Sequence, residues 1–300
     1  MKSFIKKFIP RALRKKYGIY RESIVLCKRK KKLKLKIIKY LEKDSEYDIS
    51  EKKAIIDFLK HNPFSVFPYD YTKKYNSENI RVYTDSENGM KYVLHENKRL
   101  YFKKRMKENF IKICYNNLVR EQDIESPHRY ETTDFSVQEA DIVADVGTAE
   151  GNFGLSVVEK AKKLYLFEVD EEWIEALKMT FAPWKEKVFI VNKYVSDNNE
   201  NGCTTLDAFF VNETPDFIKA DIEGYESNLL RGSKNIISSN DSIKIILCTY
   251  HRQNDAAELN RMLAELGFRT EFSKGYMIFV YDKTLSEPYL RKGLIRAAKK

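Results

Sequence analysis

The chain has 300 residues, of which 43% are hydrophobic and 33% are charged, and its formal net charge is +10. This length fits one large domain or two ordinary ones, and the composition excludes a chain that is disordered throughout. The charge is uneven: residues 1–36 carry +14 and residues 288–300 carry +5, which leaves −9 for residues 37–287. The basic ends suggest an anionic partner, whereas the middle of the chain is acidic.

Two further classes are excluded by the same reading. No stretch approaches the ~18–20 apolar residues of a membrane-spanning helix, and no uninterrupted apolar segment suggests a secretory signal. The four cysteines are scattered without a CxxC pair, so neither a disulfide framework nor a zinc site is expected. A cytoplasmic location is the resulting expectation.

Residues 1–125 are predicted to form a basic, mainly helical region with a small β-hairpin. Helices are predicted over 2–17 with a break at Pro10, over 20–43, over 51–60 and over 104–119. Residues 80–102 alternate polar and apolar around the turn Glu87-Asn88-Gly89, which predicts short strands.

The first predicted helix has its own hypothesis. Apolar residues such as Phe4, Phe8 and Leu13 recur at helical spacing among lysines and arginines. Residues 1–36 could therefore hold the protein on an anionic membrane, at its inner face. A solvated or self-packing helical arm is the alternative.

From Asp141 onward, apolar runs alternate with helical stretches, which predicts a domain over 126–300 built on a parallel sheet covered on both faces. The predicted strands are 142–146, 164–169, 188–192, 217–220 and 243–248. The predicted helices are 153–162, 171–180, 225–237 and 254–266. A final antiparallel hairpin is predicted from 268–272 and 276–281, around Lys274-Gly275.

A glycine loop follows the first of these strands. It runs from Asp145 through Gly147 and Gly151 and opens a helix, the setting in which such loops bind nucleotide-like ligands. Ala149 and Asn152 stand where a dinucleotide fingerprint has glycines. Asp145 is expected to point into the ligand crevice, where a carboxylate suits the cationic donor S-adenosylmethionine.

A second acid, Glu168, ends the next strand and is expected to accept hydrogen bonds from the ribose hydroxyls. The segment 192–197 is the expected wall for the adenine. Solvated acids beside a plain turn are the alternative reading. The complete set of predicted cofactor-binding residues is Asp145, Gly147, Thr148, Ala149, Gly151, Asn152, Glu168, Val169, Tyr194, Ser196 and Asp221.

Another acidic segment, Lys219-x-Asp221-x-Glu223-Gly224, ends the fourth strand and lies at the ligand-binding edge of such sheets. With this segment the sequence resembles the FkbM-type methyltransferases. The resemblance covers roughly residues 135–282. It rests on Asp145-x-Gly147-x-x-x-Gly151-Asn152, Phe167-Glu168, Thr205-Leu206-Asp207, Lys219-x-Asp221-x-Glu223-Gly224-x-Glu226 and Leu230-x-Gly232.

The resemblance implies a Rossmann-like, seven-stranded class I methyltransferase sheet, S-adenosylmethionine as cofactor, and methylation of a hydroxyl group. Many members of the family look like parts of surface-glycan gene clusters, so a sugar in a surface glycan or its precursor is the implied acceptor. The sequence departs from the motif at Ala149, a residue small enough to permit close approach.

Methyl transfer is an in-line displacement in which positioning matters most and a general base can help. His251, after the fifth strand, is the first candidate base; alternatively it caps the strand or bonds a backbone carbonyl. Asp221 and Glu223 are expected either to orient the acceptor hydroxyl, to bind Mg²⁺, or to stabilise a helix N-terminus. The predicted substrate-binding residues are His128, Arg129, Tyr250 and Arg252.

Two other functions compete with sugar O-methylation. One is an RNA methyltransferase that uses the basic termini; against it, the Asn/Asp-Pro-Pro-aromatic segment of amino-group methylases is replaced by Asp221-Ile222-Glu223-Gly224. The other is a non-catalytic scaffold that binds the cofactor. The intact cofactor motif argues against loss of that binding.

Overall fold

A computed structural model describes residues 11–43 and 48–299, with side chains from Cys27 onward. The predicted helix over 2–17 and its break at Pro10 lie largely outside this range. The chain divides into two compact units, one ending at Tyr69 and the other beginning at Asp70. The hairpin region after residue 70 therefore belongs to the same compact unit as the sheet, and the domain boundary at 125 stays a prediction.

The described residues of the first unit include two α-helices, α1 (Arg11–Lys43) and α2 (Ile49–His61). The helix predicted over 20–43 thus begins earlier, at Arg11. Leu33, Ile37 and Leu41 are buried at four-residue spacing, which makes one face of α1 apolar. No helix among the described residues is both long and apolar enough to span a membrane.

The second unit begins with a small antiparallel sheet, as the alternation over 80–102 predicted. It contains β1 (Tyr83–Thr84), β2 (Lys91–His95) and β3 (Lys98–Tyr101), and α3 (Glu108–Glu121) follows. Glu96 and Asn97 both adopt left-handed conformations, with φ of 49° and 65°, as a two-residue hairpin turn between β2 and β3 requires.

The main sheet confirms the predicted Rossmann-like architecture. Its strands within the described chain are β4 (Ile142–Val146), β5 (Lys163–Phe167), β6 (Val188–Val191), β9 (Phe217–Ala220), β10 (Lys244–Cys248), β11 (Phe268–Phe272) and β12 (Leu294–Lys299). Their order is β6-β5-β4-β9-β10-β12-β11. The first five in this order are parallel, and β12 runs antiparallel to both of its neighbours.

Helices connect these strands, and a short parallel pair stands apart, with β7 (Tyr194–Val195) next to β8 (Cys203–Thr204). The helices are α4 (Asn152–Val157), α5 (Glu171–Thr180), α6 (Leu206–Phe209), α7 (Glu226–Arg231), α8 (Lys234–Ser239) and α9 (Asp255–Glu265). Every residue of β9 is buried, as a strand covered on both faces must be. The order of the sheet brings the ends of β4 and β9 side by side.

The C-terminal antiparallel strand pair that the sequence predicted is present, but the prediction of its second strand at 276–281 was wrong. The partner of β11 is β12, and residues 276–281 lie in the connection, where Met277 forms a single bridge with Arg291. In the sequence, residues 288–300 were interpreted as a basic tail, partly because of Arg296, which lies within β12. Its guanidinium is instead buried and donates to the main-chain oxygens of Arg129 and Tyr130.

The C-terminal charge therefore has a structural use. Arg291 is also buried and donates to the carbonyl oxygens of Tyr250 and His251, at 2.7 and 2.8 Å. The expectation that the basic C-terminus faces an anionic surface is wrong for these two arginines.

The helix predicted over 225–237 is broken into α7 and α8 at Gly232. A Cβ built on Gly232 would lie 2.2 Å from the main-chain oxygen of Ser196. The two backbones meet because residue 232 has no side chain, and the chain turns there instead of continuing as a helix.

Candidate active site

The glycine loop between β4 and α4 is held in a conformation that ordinary residues avoid. Gly147, Ala149 and Gly151 have φ of 72°, 46° and 83°. A Cβ on Gly147 would lie 2.1 Å from the main-chain oxygen of Asp221, so β4 and β9 touch where both strands end. The amides of Gly147 and Thr148 both donate to the carbonyl oxygen of Phe167, which ties the loop to β5 as well.

Asp145 does not point into the crevice, and that prediction was wrong. It is fully buried and faces Lys219 on the neighbouring strand, with Oδ1 2.9 Å from Nζ. Burial alone would lower the pKa of Lys219, but the carboxylates of Asp145 and Asp221 raise it above its ordinary value. The ammonium therefore stays charged and compensates the buried acid.

Glu168 holds the loop from the other side. Its Oε2 accepts from the amide of Ala149 at 2.9 Å, and its Oε1 accepts from those of Val169 and Asp170 at 2.7 and 2.8 Å. Each carboxylate oxygen has lone pairs to spare after these bonds. The carboxylate is consequently fixed in position and can still accept hydroxyl donors.

A cavity of about 680 Å³ opens beside this loop, a size usual for small-molecule sites. Eight of the predicted site residues line it: Gly147, Ala149, Glu168, Val169, Tyr194, Ser196, Asp221 and Glu223. Thr148, Gly151 and Asn152 support the loop without lining the cavity; the Thr148 hydroxyl, for example, donates to the carbonyl oxygen of Asp145. Two more lining residues, Lys193 and Val195, belong to the predicted wall segment 192–197. The lining residues that were not predicted are Val146, Phe167, Trp173, Cys203, Ile222 and Tyr225.

Asp221 is the centre of a polar cluster at one wall of this cavity. Its carboxylate accepts hydrogen bonds from the hydroxyls of Tyr130 and Tyr250, both at 3.2 Å. The Nε2 atoms of His128 and His251 lie 3.6 and 3.3 Å from its oxygens. Burial alone would raise the pKa of Asp221, but the two histidines outweigh it and hold the pKa well below its usual range.

The two phenols act as fixed donors in this cluster. Burial, and then the negative charge of Asp221, raise the pKa of both Tyr130 and Tyr250 well above the ordinary value. They therefore remain protonated and keep their hydrogen bonds to the carboxylate. Tyr130 was not predicted, although its neighbours His128 and Arg129 were.

His251 lies between two carboxylates. Its Nε2 faces Asp221, and its Nδ1 is 3.2 Å from Oε1 of Glu226, which is itself buried. Desolvation opposes the charged ring, but the contacts with both acids raise the pKa of His251 to about 10. A histidine with a raised pKa and a carboxylate oxygen within 3.3 Å of each ring nitrogen is a poor general base, and a good electrostatic support for Asp221.

The other acid of the segment, Glu223, is exposed at the cavity wall with φ of 53°. The metal-ligating groups that approach Asp221 among the described residues are His128 with Cys248, and Glu226 with His251. Glu223 belongs to neither set. Asp221 and Glu223 both line the cavity, but the described residues give this pair no third protein ligand for a magnesium ion.

The predicted substrate-binding residues separate into two groups. His128 and Tyr250 reach Asp221, and their rings contact each other at 5.3 Å between centroids. Arg129 instead bonds the main-chain oxygens of Gln122 and Glu131, a structural arrangement. Arg252 is exposed, and its guanidinium lies 5.5 Å above the ring of Tyr225 at the cavity rim.

The fold and the cavity define a class of protein. A seven-stranded sheet in this order, with a glycine loop after its first strand and an acid after its second, is the Rossmann-like fold of class I methyltransferases. Residues 183–270 match the family described as the methyltransferase FkbM domain. The resemblance seen in the sequence is thereby confirmed over these residues, which include the Lys219-x-Asp221-x-Glu223-Gly224 segment.

The chain is also similar to several solved structures. The chain is similar to methyltransferase FkbM from Methylobacillus flagellatus, with 16% identity, 63% of this chain and 53% of that chain covered, and a TM-score of 0.46. An rRNA methylase from Streptococcus thermophilus matches with 17% identity, coverages of 54% and 89%, and a TM-score of 0.39. Magnesium protoporphyrin IX methyltransferase from Synechocystis, with bound SAM, matches with 12% identity, coverages of 54% and 71%, and a TM-score of 0.35.

The match to the Methylobacillus protein spans about half of that protein's length. No protein of curated function matches the sequence.

Proposed function

We propose that this protein is an S-adenosylmethionine-dependent O-methyltransferase whose acceptor is a sugar hydroxyl in a surface glycan or its precursor. The observation that carries the reaction type is the position of Asp221. Its carboxylate lies on the wall of the cavity beside the glycine loop and is held by two phenols and two imidazoles. The glycan acceptor is supported by the family resemblance.

The residues at the loop fit the proposed cofactor. Glu168 presents a fixed carboxylate to the cavity, as ribose hydroxyls require, and Trp173 and Tyr194 provide apolar and aromatic wall for a purine. S-adenosylmethionine, when bound, supplies an electrophilic methyl group on a positively charged sulfur. The acidic groups around the cavity suit that charge.

Asp221 is well placed to orient an acceptor. Its side chain is 22% exposed, whereas that of Glu226 is 1% exposed, so Asp221 is the carboxylate of this pair that a hydroxyl can reach. A low pKa makes it a weak base, so its contribution is to accept the hydroxyl's hydrogen bond and aim the oxygen's lone pair. The positive charge of His251 keeps this carboxylate ionised.

The proposal is tested in two stages. Calorimetry with S-adenosylhomocysteine first measures cofactor binding. A protein that does not bind this compound would contradict both the proposed enzyme and the cofactor-binding scaffold. Protein is then incubated with methyl-labelled donor and either a glycan-lipid extract or RNA. We expect label in the glycan that survives mild alkali, because methyl ethers resist hydrolysis and methyl esters do not.

An Asp221→Asn variant should lose this incorporation, and Glu223→Gln, an exposed acid on the same wall, is its matched control. Label that ribonuclease converts to small soluble fragments would support the RNA methyltransferase instead. Binding of S-adenosylhomocysteine without transfer to any acceptor would support the scaffold.

The charged face of α1 suggests where the acceptor is met, and we propose an anionic membrane surface. Within the part of α1 whose side chains are described, Lys28, Lys31, Lys32, Lys36 and Lys39 are exposed, and Leu35 is exposed among them at 69%. Juxtaposed lysines attract anionic lipid, each contributing about 1 kcal/mol near the surface.

A variant with these five lysines changed to Gln tests the membrane contact. The wild type should sediment with vesicles that contain phosphatidylserine and not with pure phosphatidylcholine vesicles, and the variant with neither. RNA binding that falls steeply with salt, without vesicle binding, would contradict the membrane proposal.

A further inference from the structure

Lys219 is a buried lysine in the centre of the main sheet, next to the glycine loop. It lies on β9 directly opposite Asp145 of β4, and only 3% of its surface is exposed. Its Nζ is 2.9 Å from the Asp145 carboxylate. A buried ion pair is weak support for stability, because well-packed apolar residues often serve as well. The charged pair at this buried position therefore points to a role other than stabilisation.

A second contact indicates what that role is. Nζ also donates to the carbonyl oxygen of Gly147 at 3.0 Å, at the residue where the chain leaves β4 with φ of 72°. The amide of the same residue donates to the carbonyl oxygen of Phe167. Both polar groups of this peptide segment are thus fixed, one by β5 and the other by the side chain of Lys219.

A third contact connects the lysine to the Asp221 cluster. The ammonium lies 5.2 Å from the ring centroid of Tyr130, within the range of a cation–π interaction. The hydroxyl of that tyrosine donates to Asp221. Lys219 therefore touches the loop on one side and a support of Asp221 on the other, and it does not itself line the cavity.

We propose, building on the proposed methyltransferase function, that Lys219 is a positioning residue that sets the cofactor loop and the Asp221 cluster relative to each other. It acts through the Gly147 carbonyl and through Tyr130. It contacts neither donor nor acceptor.

Three variants separate this role from simple stabilisation. Lys219→Met leaves Asp145 buried without its cation and is expected to melt well below the wild type. The double variant Asp145→Asn, Lys219→Met removes both charges and should recover most of that melting temperature. Lys244→Met is the matched control, since Lys244 is a half-buried lysine on the adjacent strand that donates to the carbonyl of Ser136, away from the loop.

The readout is the affinity for S-adenosylhomocysteine by calorimetry. We expect the double variant to bind about tenfold more weakly or worse, because the charge-assisted bond to Gly147 is still missing, while Lys244→Met binds like the wild type. A stable double variant that binds within about threefold of the wild type would overturn the inference.

Hydrogen exchange of the amides of residues 147–151 keeps the inference testable without cofactor. Exchange should be faster in the double variant than in Lys244→Met, and equal rates would count against a positioning role. A wild type that fails to bind S-adenosylhomocysteine contradicts the proposed function, and in that case the exchange rates alone decide the role of Lys219.

Discussion

Replacing Gly147 with alanine adds an atom where the fold has no space. The new Cβ would lie 2.1 Å from the main-chain oxygen of Asp221 and 2.9 Å from Cγ2 of Ile222. Carbon–oxygen contacts normally begin near about 3.3 Å, so the ends of β4 and β9 would have to separate by roughly 1 Å. Because the obstacle is backbone, no change of side-chain rotamer can relieve it.

The cost has two parts. A non-glycine residue at a φ of 72° costs roughly 1–2 kcal/mol in conformational energy. The clash adds about 1–3 kcal/mol, the usual range for overpacking a well-packed interior. Gly89→Ala is the control, since Gly89 has nearly the same φ, 71°, with nothing within 4 Å of an added Cβ. The control bears only the conformational part.

Urea unfolding followed by tryptophan fluorescence measures the difference, because both tryptophans, Trp173 and Trp184, lie in the second compact unit. The free energy of unfolding should be lower in Gly147→Ala than in Gly89→Ala by about 1–3 kcal/mol. S-adenosylhomocysteine binding should be lost in the first variant and kept in the second. Equal stability and equal binding would refute the close approach of the two strands.

Three further outcomes follow from the site. The folded-state pKa of His251 is about 10, above its ordinary value of 6.5, so its stabilising contribution is complete below about pH 6.5 and is lost as the pH rises through 10. The free energy of unfolding of the wild type should therefore fall over this pH window. A His251→Asn variant that shows the same fall would contradict the assignment of this pKa to His251. Asp221→Asn should reduce methyl transfer by about 100-fold, whereas Glu223→Gln stays within about threefold, as measured by initial rates at saturating donor. Glu168→Gln replaces an acceptor of main-chain amides with a group that is half donor, so calorimetry should show S-adenosylhomocysteine affinity reduced by about tenfold, and unchanged affinity would exclude Glu168 from the cofactor site.

The sheet was predictable because its information is local. Continuous apolar runs such as 164–167 favour a strand covered on both faces, and the structure buries all four of these residues in β5. The glycine loop was equally readable, since its glycines adopt the left-handed conformations that the turn requires.

Roles that depend on partners far along the chain were not predictable. The second strand of the hairpin was misplaced because Arg296 gives β12 the appearance of a basic tail; its burial depends on two carbonyl oxygens more than 160 residues away. His251 was the first candidate for a base because its sequence neighbours do not reveal Glu226. Only the fold brings that second carboxylate close to Nδ1, where it raises the pKa of the ring.

The sequence by itself determined the strands from β4 to β10 that form the parallel part of the sheet, the glycine loop, the acids that follow β5 and β9, and the resemblance to the FkbM methyltransferases. Each of these is written in a contiguous stretch, where spacing and residue type are sufficient. Tertiary structure alone decided which way each acid faces. Asp145 and Asp221 both end strands of one sheet, yet Asp145 pairs with Lys219 in the interior and Asp221 reaches the cavity. The partner on the neighbouring strand decides between these environments, and the choice of neighbour is a property of the assembled sheet.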